Sequence, residues 1–241
     1  MKGVLFNMER FDTATRDQQV ARFMAKTYWL MIAGLLVTAA TSYVPTLSST
    51  VFTLLYGVDG AAPIGIIVLG IVMFVLTMVI TARIDKMSFT VAFVAYAAFA
   101  AVTGLFISAI HLVYDPTIIM AAFFATVIIF AIMAIYGTVT KTDLTRIGAL
   151  CFFALIGVIL TSIMNWFLGS DLLDYVICWA VVAIFLGIIA YDAQKLRDYA
   201  AKGDNYCIYG ALAFHLDFVN VFLRLVRILG TRGSSSSSSR K

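Results

Sequence analysis

The chain has 241 residues, of which 62% are hydrophobic and 12% charged, with a mean hydropathy of +0.99 and a net charge of +4. Soluble domains run at about 45–50% apolar and about 25% charged residues, so this composition describes a polytopic membrane protein with no room for a separate soluble domain. The positive balance then reads as membrane orientation rather than nucleic-acid binding.

The N-terminal residues 1–26, "MKGVLFNMERFDTATRDQQVARFMAK", are too polar and too long ahead of the first apolar run to act as a cleavable signal. They read as a cytoplasmic segment. Seven apolar runs follow, at 27–44, 63–82, 88–110, 118–139, 147–168, 173–191 and 208–229. Each lies near the ~20 residues that cross a bilayer as a helix. The expectation is an all-α, seven-transmembrane-helix bundle over 27–229, with the last helix at its centre. The tail 230–241, "GTRGSSSSSSRK", reads as disordered. Cys151, Cys178 and Cys207 lack metal-ligand spacing and read as buried small hydrophobes.

Charge alternates sharply between the connections. Lys2, Arg10, Arg16, Arg22 and Lys26 precede the first run. Arg83 and Lys86 fill the second connection, Lys141 and Arg146 the fourth, and Lys195, Arg197 and Lys202 the sixth. The first, third and fifth carry only Asp59, Asp115, Asp171 and Asp174. The positive-inside rule therefore places the N-terminus and the even connections in the cytoplasm. The last run conflicts with that rule, because a full crossing puts Arg232, Arg240 and Lys241 outside. A re-entrant segment would resolve the conflict, but no glycine or proline interrupts the run where a chain could turn back. The unbroken run favours a full crossing.

That last run, "GALAFHLDFVNVFLRLVRILG", carries the chemistry. An aspartate at mid-membrane costs roughly 2.5–3.5 kcal/mol on insertion scales, so Asp217 must face protein or water. Asp217, Asn220, Arg224 and Arg227 share one stripe of the helix, and His215 lies on the opposite face. The stripe is either a functional pathway or an internal Asp–Arg pair that only holds the helix in place. His215 reads as a neutral histidine satisfied by a neighbouring helix, and His111 lies in an outer connection. Asp192, in "GIIAYDAQKLRDY", ends the sixth run; it is either a solvated helix-end carboxylate or a partner for Arg83 at the same depth. Arg83 in turn could simply obey the positive-inside rule.

Two aspartates on consecutive helices raise an aspartyl-protease reading. It fails on the second motif, since "FHL" rather than a glycine precedes Asp217, and on the different depths expected of the two residues. No lysine in the last run could hold a retinal, and no glycine loop cradles phosphate. The expectation is a protein that is not an enzyme and carries no cofactor.

With "AYDAQKL", the last run, "YGTVTKTDLTRIG" and "ALIGVILTSIMNWFL", the chain resembles a bacterial inner-membrane member of the Bax inhibitor family over about residues 21–232. The resemblance implies a seven-helix fold whose last helix is surrounded by the other six. It also implies a pH-sensitive calcium leak in which Asp192 and Asp217 form the sensor and Arg83 the latch, with Arg227 closing the last helix. Three features depart from the family: His215 stands where tyrosine is usual, Arg224 is an added charge, and the second run holds no acid. The leading function is thus a calcium leak with transient calcium binding at Asp217, its partners being the lipid bilayer and the ion. The alternative is a non-conducting regulator that binds another membrane protein, such as a protease or stress factor.

Overall fold

A computed structural model describes residues 2–57 and 64–238, with side chains placed from 15 to 57 and 64 to 231. Asp59, Arg240 and Lys241 lie outside the described residues. The chain is helical throughout, with no strand among the described residues: α1 (Lys2–Ser42), α2 (Val44–Leu47), α3 (Ser49–Tyr56), α4 (Ile64–Arg83), α5 (Phe89–Ile107), α6 (Ile110–Val113), α7 (Pro116–Val139), α8 (Thr145–Leu168), α9 (Asp171–Tyr199) and α10 (Tyr206–Ser238). Among the described residues, six helices are long and apolar enough to cross a membrane, built around α1, α4, α5, α7, α8 and α9. The protein is a helical membrane bundle.

Each long helix begins and ends where local chemistry dictates. Ser88 and Ser170 cap α5 and α9 by accepting the N–H of Val91 and Leu173. Asp115 caps α7 and Asp143 precedes α8. Hydrogen bonds from the hydroxyl and then the N–H of Thr117 hold Asp115 below the usual carboxylate range, and Thr145 does the same for Asp143. Gly169 ends α8 in the left-handed conformation.

α10 is the centre. Ile208, Ala211, Leu212, Phe214, Val221 and Val226 are all buried, and α10 packs on α9, α7, α1 and α5. α4 packs chiefly on α5, and α8 on α9. The helices alternate in direction, so one end of the bundle gathers Lys26, Arg83, Lys141 and Lys195 and the other gathers Asp115, Asp171 and Asp174. We refer to these as the basic and acidic ends. α10 leaves the basic end, where Asn205 donates to the carbonyl of Met87 at 2.6 Å and Tyr206 to Asp85 at 2.6 Å. It reaches the acidic end, where Gly230 meets the Tyr114 ring. It does not turn back between them, and it continues to Ser238 where composition predicts disorder from residue 230.

The packing inverts that of a soluble protein. Large apolar side chains face outward on α4, α7 and α8, including Phe74, Ile128, Phe153 and Leu160. Small ones fill the helix contacts: Ala92, Ala100, Ala122, Ala134, Ala190, Ala193 and Ala211 are buried. In lipid nothing drives helices together by hydrophobicity, so close backbone approach supplies dispersion instead. Gly137 illustrates it, since a methyl there would run into the carbonyl of Ala190 on α9. Gly157 on α8 faces open space.

The contrast gives a test. Gly137→Ala should lower the unfolding midpoint in detergent by forcing α7 from α9. Gly157→Ala should leave it unchanged or raise stability by up to about 1 kcal/mol, the ordinary helix gain of alanine over glycine. Equal effects at the two positions would contradict the tight α7–α9 contact.

Candidate functional site

α10 carries two polar faces, and each has its own partners. On one, His215 is fully buried between α1 and α5. Its Nε2 lies 3.1 Å from Thr38 Oγ1 and its Nδ1 lies 3.1 Å from the Tyr96 hydroxyl. Thr38 donates its own proton to the Ala100 carbonyl at 2.8 Å. The Thr38 oxygen must therefore accept from Nε2–H, which leaves Nδ1 to accept from Tyr96. This is a neutral imidazole with every polar atom satisfied, and it ties α1, α5 and α10 together. The expected satisfied histidine is present, with Thr38 and Tyr96 as partners that the sequence did not reveal. A side chain at Gly34 would collide with the Tyr96 hydroxyl, so that glycine makes room for the bond.

The opposite stripe faces α9, which descends as α10 ascends. Arg227 pairs with Asp174 at 2.6 Å near the acidic end. One turn deeper, Arg224 lies beside Cys178. Asn220 donates its amide back to the Leu216 carbonyl at 2.8 Å. Deeper still, the Asp217 carboxyl feels the charge of Asp192.

Asp217 is 5% exposed, and its Oδ2 has no hydrogen-bond partner among the described residues. Among the described residues the ion pairs are Arg227–Asp174 and Lys26–Asp204, so the internal Asp–Arg pair on α10 does not form. An enclosed carboxylate oxygen without a partner needs a proton, a cation or water to be tolerated at that depth. Among the described residues no third His, Cys, Asp or Glu converges with the two aspartates to make a resident metal site.

Two site residues sit differently from expectation. Asp192 is not the end of its helix. α9 runs on to Tyr199, because Gln194 accepts the Leu144 N–H and donates to the Thr142 carbonyl, each at 2.8 Å, and Arg197 donates to the Thr138 carbonyl at 2.9 Å. These bonds satisfy polar side chains at the basic end and let the helix continue past the apolar run. Asp192 is thereby carried inside the bundle, partly buried, with Lys195 as its nearby cation and Asp217 as its neighbouring acid.

Arg83 is exposed and makes no ion pair with Asp192. The expected pairing of the two is absent. The turn Ile84–Lys86 after α4 is bound by Asn205 and Tyr206 at the start of α10, and Ile84 is buried, which turns Arg83 outward. No latch forms in this structure.

Comparison with known proteins decides the family. Residues 20–234 match the family described as Inhibitor of apoptosis-promoting Bax1. The chain belongs to the Bax inhibitor family. Among its relatives is the inner membrane protein YbhL of Escherichia coli, 37% identical over 218 residues that cover 87% of this chain and 92% of that one. An uncharacterised protein of Deinococcus radiodurans is 35% identical, covering 89% and 92%. One of Rickettsia prowazekii is 31% identical, covering 90% and 93%.

The histidine network predicts a measurable cost. Tyr96→Phe keeps the ring but leaves His215 Nδ1 buried without a donor, which should destabilise the bundle by about 1–3 kcal/mol. Equilibrium unfolding in mixed detergent micelles would measure it. An unchanged midpoint would mean that the Tyr96–His215 bond contributes nothing.

Proposed function

We propose that this Bax inhibitor family protein is a pH-sensitive calcium leak of an inner membrane. In this reading the N-terminus and the basic end are cytoplasmic, and α10 is a seventh crossing that places the serine-rich tail on the far side. The name of the Escherichia coli relative supports the membrane assigned. The observation that carries the function is the unpartnered Oδ2 of Asp217, enclosed on the central helix beside Asp192.

Calcium takes oxygen ligands and usually gathers six to eight of them. Two carboxylates with few other oxygens bind it weakly, as conduction requires, since a conducted ion must leave as readily as it enters. With both aspartates ionised the ion is held between two negative charges. A proton on Asp192 removes one charge and quickens release. A proton on Asp217 removes the binding site itself. Acid therefore acts in two opposite senses, raising flux through Asp192 and lowering it through Asp217. Arg83, turned away from Asp192, has no part in this response.

Calcium entry into dye-loaded proteoliposomes containing only this protein tests the reading. Asp217→Asn should abolish flux while the variant remains monodisperse, and normal flux would sink the conduction role. A wild-type protein that carries no calcium would instead favour a regulator acting through another membrane protein.

The sensor is tested separately. Asp192→Asn should lose the rising limb of the pH profile, whereas Arg83→Ala should keep the wild-type profile. If Arg83→Ala were open at neutral pH, the latch would exist in a state other than this one.

A further inference from the structure

Arg224, unlike Arg227, has no carboxylate partner among the described residues. It lies on α10 one turn inside the Arg227–Asp174 pair, with Cys178 as its neighbour. Guanidinium does not lose its proton in a protein, so the charge cannot be removed by titration. At about nine ångströms below Gly230, which marks the acidic end, it is inside the hydrocarbon zone but within reach of the headgroup boundary by side-chain extension.

The surroundings are shaped for an occupant. Arg224 and Asn220 form the polar floor of a groove of about 460 Å³ between α8 and α9. Its walls are Leu155, Val158, Ile159 and Phe185, and Ser162 and Trp166 stand on the α8 side. Trp166 is 84% exposed one turn from the end of α8, the position where tryptophan marks the headgroup level. The Asn220 amide nitrogen is engaged by Leu216, which leaves the guanidinium as the main free donor. One uncompensated cation, an apolar wall long enough for a hydrocarbon chain and an opening towards the bilayer define a complementary ligand. It is an anion joined to an acyl chain.

We propose that the α8–α9 groove binds one phospholipid from the leaflet on the acidic side, its phosphate on Arg224 and an acyl chain along Val158, Ile159 and Phe185. The phosphate forms a charge-assisted pair with the guanidinium, drawn slightly inward by the same thinning that accompanies any intramembrane arginine. A net anionic headgroup binds better than a zwitterionic one, because no ammonium competes for the phosphate.

The test uses full-length protein, washed free of lipid in a maltoside detergent and titrated with phosphatidylglycerol. Native mass spectrometry counts bound lipid, and the thermal midpoint reports its effect. Wild type should retain one tightly bound phosphatidylglycerol and melt higher with it. Arg224→Met should bind at least about tenfold more weakly, as expected for loss of one charge-assisted pair. Removing an unpaired charge from an apolar groove should not lower the midpoint of the lipid-free variant. Ser162→Phe, which narrows the groove and keeps the charge, should also weaken binding, and Arg224→Lys should retain most of it. Inorganic phosphate and diacylglycerol, added separately, should each fail to reproduce the shift. Wild-type affinity in Arg224→Met would overturn the proposal. So would a full shift with inorganic phosphate, which would mark a free-anion site, or with diacylglycerol, which would mark a groove indifferent to charge.

Discussion

A carboxylate buried near the middle of a membrane protein must be enclosed, and the rest of this bundle follows from that requirement. Insertion of an aspartate at such a depth costs roughly 2.5–3.5 kcal/mol when it faces lipid. The chain meets the constraint by making α10 the most enclosed helix, so that Asp217 meets protein on every side. Enclosure then dictates small residues at the contacts and large ones facing lipid. It also dictates two-sided polar matching, with His215 satisfied towards α1 and α5 and the charged stripe turned towards α9.

The two faces of α10 differ in kind. The His215 face is closed: every donor has an acceptor, and its partners come from α1 and α5, far away in sequence. Such a network fixes the rotation of the central helix. The Asp217 face is open in the chemical sense. Arg227 is matched by Asp174, but among the described residues Asp217 Oδ2 and the Arg224 charge are not matched. Groups that a fold leaves unmatched at this depth are the ones available to ions, protons or lipids. A bare Arg224 between Asp217 and the acidic end would also repel a passing cation, and a lipid phosphate on it would lower that barrier.

Much of this was legible in sequence, and the exceptions have physical causes. Hydropathy located the helices, and the aspartate-only connections marked one end of the bundle. The polar stripe at a spacing of three and four residues gave the correct face of α10. Hydropathy could not see the last turns of α9, because Gln194 and Arg197 are stabilised by carbonyls and amides of residues 138–144 rather than by lipid. That misplaced Asp192 at a helix end. Arg83 was expected to face Asp192, but its direction depends on how Asn205 and Tyr206 bind the following turn, which no periodicity encodes. Likewise the charged pair that forms, Arg227 with Asp174, joins two helices and could not be chosen over a pair within one helix by spacing alone.

The central claim is that Asp217 is an unmatched carboxylate communicating with Asp192, rather than a structural anchor. Solid-state NMR of carboxyl-labelled aspartate in bilayers would observe it directly. The account predicts that the Asp217 carboxyl resonance shifts on adding calcium at neutral pH, and that its titration moves in Asp192→Asn. A resonance that ignores both calcium and the loss of the Asp192 charge would contradict it.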